Sequence, residues 1–112
     1  MKTVKIATKD IGDVRIIYIH GHLDASTSPE AEKIILEQLD KGYYKIIINL
    51  ENTVYMSSSG LRVMLKTAKT LKNTGTLRIS NLTNIVEEIF QISGFKTILN
   101  VNSTEQEALA NI

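Results

Sequence analysis

The chain reads as an α/β sandwich, with a mixed central β-sheet and helices mainly on one face. Three observations predict it. Strand-like and helix-like hydrophobic periods alternate through 112 residues in the order β-β-α-β-α-β-α-β-α. Lys45 to Leu50 contains three consecutive isoleucines and so has no polar face, as expected of a central strand covered on both sides. The first two helical segments each gather their apolar residues on one face, which suits a layer packed on a sheet. At 112 residues, 43% hydrophobic and 22% charged, the chain fits a single globular domain spanning residues 1–112, without linker, repeat or low-complexity segment.

Taken in order, Val4 and Ile6 mark a short first strand, and Gly12-Asp13 a turn. Val14 to Ile19 follows as a nearly continuous β-branched strand. A helix opens at Thr27 or Ser28, either of which can cap it, with Pro29 and Glu30 in its first turn. Ala31, Ile34, Ile35 and Leu39 form its buried face, and Gly42 ends it. After the isoleucine strand and a serine run, a second helix buries Leu61, Met64, Leu65, Ala68 and Leu71 and closes at Asn73-Thr74-Gly75. Leu77 and Ile79 mark a short strand. Asn84 with Glu87 reads as a capping box for a third helix that buries Ile85, Ile89 and Ile92 and stops at Gly94. A last strand, Ile98 to Val101, precedes a short helix opened by Ser103 with Gln106.

Composition excludes several functions. There are no cysteines, hence no disulfide, thiolate nucleophile or cysteine zinc site, in keeping with a reducing cytoplasm. A formal charge of +1, 5% aromatics and no Trp argue against direct nucleic-acid binding. The longest purely apolar run, Ile16 to Ile19, is far short of the ~20 residues of a membrane span, and Met1 to Lys5 leads into no signal-like stretch. A small cytoplasmic domain without membrane insertion is expected, with monomer as the default state. The six glycines never lie closer than nine apart, so no phosphate-cradling loop can be assembled from them.

Two catalytic readings stand as minor alternatives to plain strand-end and helix-cap residues. His20, His22 and Asp24 alternate as metal ligands on one strand would, which would make a small metal-dependent enzyme. Gly21 and the turn residues Ala25 to Ser28, however, indicate that the strand is ending there, and no fourth ligand is evident. Ser58 lacks the glycine two positions earlier that a nucleophile elbow uses. No catalytic residue, metal or cofactor is therefore assigned.

The informative stretch is Val54 to Leu61, with Ser57, Ser58 and Ser59 ahead of the second helix. One reading is helix capping, for which one serine suffices at ~1 kcal/mol. The other is a modifiable hydroxyl at a helix N-terminus, where the macrodipole favours an added phosphate. On residue types alone both stay open.

From Val4 to Ala110 the chain resembles the STAS domain of bacterial anti-sigma factor antagonists. Gly21-His22-Leu23-Asp24 is similar to the family's motif at the end of the second strand. Ile46 to Leu50 with Val54-Tyr55-Met56 resembles its central strand and apolar follow-on, and Ser58-Ser59-Gly60-Leu61 its second-helix start. The resemblance implies a non-enzymatic regulator of transcription that binds an anti-sigma factor which is also a serine kinase, and so frees a sigma factor. Phosphorylation by that kinase, which supplies the ATP, switches binding off, and a serine phosphatase restores it. Carried over by position, Ser58 is the phosphate acceptor, with Ser57 and Ser59 as substitutes. Asp24, Ser57, Ser58, Ser59, Gly60, Leu61 and Arg62 form the partner surface. Two positions depart from the pattern: Ser57 stands where the family has aspartate, and Arg62 where it commonly has a small residue. The missing aspartate supports an alternative, a non-phosphorylated STAS scaffold subunit of a transporter or signalling complex. Arg62, Lys66, Lys69 and Lys72 form a basic stripe, by default a solvated helix face.

Overall fold

The computed structural model describes residues 4–112; residues 1–3 of the N-terminal stretch lie outside it. Strands β1 (Val4–Ile11) and β2 (Val14–Leu23) form an antiparallel hairpin around Gly12-Asp13. Helix α1 (Ser28–Asp40) leads to β3 (Lys45–Asn49), β4 (Thr53–Met56) and α2 (Ser58–Leu71). β5 (Thr76–Ser80), α3 (Asn84–Ser93), the single turn α4 (Phe95–Ile98), β6 (Val101–Asn102) and α5 (Glu105–Asn111) complete the fold. The sheet order is β1-β2-β3-β5-β6, parallel from β2 onward. β2 is long enough for two successive partners: β3 runs beside its first half and β4 beside its second.

Register explains the isoleucine run. Ile16 pairs with Ile47 and Ile17 with Ile48, so alternate residues enter different layers. Ile17, Ile19, Ile46 and Ile48 join Ala31, Ile35, Leu61, Met64, Val86 and Phe90 in the larger core under α1, α2 and α3. Val14, Ile16 and Ile47 meet Ala108 of α5 on the other face. Ile46, Ile47 and Ile48 are all 0% exposed, each burial stabilising by roughly 1.5–3 kcal/mol. The α5 face also carries a polar row in register: Tyr18, Asn49, Ser80 and Asn102. Glu105 accepts from the Tyr18 hydroxyl at 2.7 Å and from Asn49 Nδ2 at 3.1 Å. Burial, reinforced by Glu105, pushes the Tyr18 phenol up to about 12.

Several elements differ from the sequence expectation. Thr53 to Met56 is a strand in its own right rather than an apolar follow-on. Its β-branched and aromatic residues Thr53, Val54 and Tyr55 favour extended backbone. In α3, Val86 and Phe90 are buried, whereas Ile85 is 53% and Ile92 80% exposed; Ile89 is half-buried. The segment carries two overlapping apolar stripes, and the cap selects between them. Thr83, not Asn84, is the N-cap: its hydroxyl donates to Thr53 O at 3.2 Å and accepts from the Val86 amide at 3.4 Å. The strand expected at Ile98 to Val101 is instead the end of α4 followed by a two-residue β6. There the Leu99 amide closes a helical turn on Phe95 O at 2.9 Å. The cap of α5 is Thr104, which accepts from the Glu107 amide at 3.1 Å, one residue beyond Ser103. In α2, Val63 and Thr67 join the buried face while Leu65 and Ala68 are half-buried.

Candidate functional site

Parallel pairing of β2 with β4 assembles the candidate residues. Leu23 pairs with Met56, and the Ser57 amide donates to Leu23 O at 2.9 Å. Asp24 and Ser57 therefore leave adjacent strand ends, and the loop into α1 lies beside the start of α2. The strand ends at Leu23, between Gly21 and the turn residues Ala25 to Ser28, as expected. It passes through a register shift between Gly21 and His22, with Gly21 at φ +109°. Such a bulge interrupts the two-residue alternation that would align His20, His22 and Asp24. The His22 ring instead lies near Tyr55, centroids 6.5 Å apart. Among the described residues, no three His, Cys, Asp or Glu side chains are placed to hold a metal ion.

Asp24 organises its own loop. Its Oδ1 accepts from the Ser26 hydroxyl at 2.7 Å and from the Ser26 and Thr27 amides at 2.9 and 3.2 Å. These hydrogen bonds, the Ser26 hydroxyl foremost, hold the carboxyl below its usual range and keep it ionised at neutral pH. Thr27 occupies the N-cap position of α1 without capping it. Its hydroxyl turns back, accepting from the Asp24 amide at 2.9 Å and donating to His22 O at 2.7 Å. Ser26 and Thr27, which the motif did not name, hold the Asp24 loop in shape. The signal was available, since Asp followed by Ser and Thr is the chemistry of a side-chain-closed turn.

At the start of α2 the three serines separate into different roles. Ser57 is the N-cap, its hydroxyl accepting from the Ser59 amide at 3.2 Å. That settles capping on one serine. Ser58, the first residue of the helix, is exposed, and its hydroxyl has no partner among the described residues. Ser59 is half-buried. Gly60 is buried because the helix enters close to β2 and β4. A Cβ there would lie 2.6 Å from Met56 Cγ and 2.9 Å from Leu23 O. Leu61 is 7% exposed and anchors the turn in the larger core, so it is more a core residue than a surface one. Arg62 points its position outward. Ser58, Leu61 and Arg62 share a shallow depression with Ser93 and Phe95 at the α3–α4 corner. First-turn helix amides lack intrahelical acceptors, so the exposed Ser58 hydroxyl sits where added negative charge is favoured.

A mixed sheet under helices, with an exposed serine at a helix end beside the loop ordered by Asp24, defines a small single-domain α/β protein. Residues 5–108 match the model of the STAS domain, and the chain belongs to that family. It is 36% identical over 93 residues to the anti-sigma-B factor antagonist of Staphylococcus aureus, covering 81% of this chain and 86% of that one. Among solved structures it is similar to an anti-sigma factor antagonist from Mycobacterium paratuberculosis. There the TM-score is 0.90 at 20% identity, over 97% of this chain and 93% of that one. It is similar also to the anti-sigma factor antagonist SpoIIAA in its unphosphorylated form, with TM-score 0.79 and 24% identity over 96% and 95% of the two chains. The phosphorylated form of SpoIIAA, a Bacillus cell fate determinant, aligns with TM-score 0.71. No helix among the described residues is long and apolar enough to cross a membrane.

Proposed function

We propose that this chain is an anti-sigma factor antagonist whose binding is switched by phosphorylation of Ser58. The single observation that carries the reading is the division of labour among the serines. Ser57 holds the helix end, and the neighbouring residue Ser58 is exposed, its hydroxyl without a partner among the described residues. Its family membership and its likeness to the S. aureus antagonist support the choice of partner. In this reading the protein acts in the cytoplasm as a monomer and supplies no catalytic group. Asp24, Ser57 to Gly60 and Arg62 line the surface that meets an anti-sigma factor, with Leu61 fixing the turn from beneath.

The switch needs no refolding. A serine kinase partner transfers the γ-phosphoryl group of ATP: a bond forms between Ser58 Oγ and phosphorus, the bond to ADP breaks, and a kinase base takes the hydroxyl proton. A phosphatase reverses the state by hydrolysis, releasing inorganic phosphate. The modification adds about −1.5 to −2 charges to a chain of formal charge +1. Desolvating such a charge unmatched at an interface costs several kcal/mol, and each ~1.4 kcal/mol is tenfold in affinity. The expected outcome is that Ser58→Ala binds the cognate anti-sigma factor as the parent does, while Ser58→Asp binds at least tenfold more weakly by calorimetry. Equal binding by both variants would remove the switch.

A further inference from the structure

Arg62 borders two depressions. It shares one with Ser58, Leu61, Ser93 and Phe95, and the other, between the first turns of α1 and α2, with Ser28, Glu32 and Ser59. Ser58 and Arg62 are separated by one helical turn of α2, a spacing that places Cβ atoms about 5–6 Å apart on one face. The exposed Arg62 has no ion pair among the described residues, whereas Lys66 on the next turn is held by Glu32 at 3.5 Å.

The second depression has an unmet need of its own. Ser28 is 4% exposed and its hydroxyl has no hydrogen-bond partner among the described residues. Buried polar groups without partners are uncommon; Ser28 lines this depression, and an oxygen acceptor that reached its enclosed hydroxyl would satisfy it. The positive ends of α1 and α2 favour an anionic acceptor. Glu32 also lines the depression and pairs with Lys66 at 3.5 Å; Arg62 is the lining cation among the described residues.

We propose that Arg62 has two alternative occupants: a carboxylate of the partner protein in the α1–α2 depression, and the phosphate on Ser58 once that residue is modified. The proposal rests on the reading of Ser58 as phosphate acceptor. One guanidinium fork satisfies one oxyanion well. Phosphorylation then withdraws the anchor that the partner uses, in addition to placing a repelling charge beside it. Arg62 is a positioning residue of the switch, at a place where the resembling motif carries a small side chain.

The decisive measurement needs no partner. The chain is made with phosphoserine at position 58, with and without Arg62→Gln, and the phosphate is titrated by phosphorus NMR near its second pKa of about 6. The parent is expected to titrate about 0.2–0.4 unit lower than the Arg62→Gln chain. Identical titrations overturn capture of the phosphate. In a second arm, calorimetry against the cognate anti-sigma factor compares both chains with and without phosphate. Arg62→Gln is expected to weaken binding of the unphosphorylated chain about fivefold. It should shrink the loss caused by phosphate by a similar factor, with unchanged thermal melting. The same phosphate-induced loss in both backgrounds overturns the two-occupant account. If phosphoserine leaves binding unchanged in the parent, the switch proposed for Ser58 fails instead, and the phosphorus titration still decides whether Arg62 holds the phosphate.

Discussion

Ser57 shows how a departure from a motif can be structurally conservative. Serine and aspartate cap helices about equally well, and here the Ser57 hydroxyl accepts the Ser59 amide as a carboxylate would. Replacing the family's aspartate therefore removes a charge without removing the cap. Ser57→Ala is expected to cost about 0.5–2 kcal/mol in urea denaturation, and Ser57→Asp nothing or a small gain, because an acidic group suits the helix start. A destabilised Ser57→Asp would contradict the assignment of Ser57 as cap. At this scale the sequence was legible where the local chemistry is self-contained. The serine run was recognisable as a helix start. Which serine caps and which is free was not legible, because it depends on the Ser57 amide reaching Leu23 O across two strands distant in sequence.

Among the elements, α3 is the instructive failure. Ile85, Ile89 and Ile92 lie on one helical stripe, and Val86 and Phe90 on the next. Periodicity cannot rank two stripes offset by one residue. The tie is broken by Thr83 bonding to Thr53 O, a tertiary contact with β4, the strand that was not foreseen. One unrecognised strand thus explains one misjudged helix face. Phe90→Ala is expected to destabilise the protein by about 3–5 kcal/mol, whereas Ile92→Asn stays within about 0.5 kcal/mol. Thermal or chemical denaturation of the two variants separates the alternatives, since the reverse order would restore the isoleucine stripe to the core. The α4–β6 segment failed for a related reason. Its β-branched residues suit a strand, but the turn closed on Phe95 O uses them in a helix first.

For the whole molecule, layer order and sheet centre were readable because they follow from composition along the chain. Three isoleucines in a row require cover on both faces, and α1–α3 on one side with α5 on the other provide it. The assembled site was not readable in the same way. It exists because β4 continues beside β2 beyond the end of β3, placing Asp24 next to Ser57. The same topology leaves Ser58 on open surface, so a partner can reach it and a phosphate can be added or removed without disturbing the core. The proposal that modification of this one hydroxyl governs binding is tested most directly by incubating the chain with its cognate anti-sigma factor kinase and ATP. The modified residue is then mapped by mass spectrometry, and the affinity of the purified phosphorylated chain is measured. The account predicts phosphate on Ser58 alone and binding at least tenfold weaker than that of the unmodified chain. Phosphate on another residue, or a Ser58-phosphorylated chain that binds as tightly as before, would contradict it.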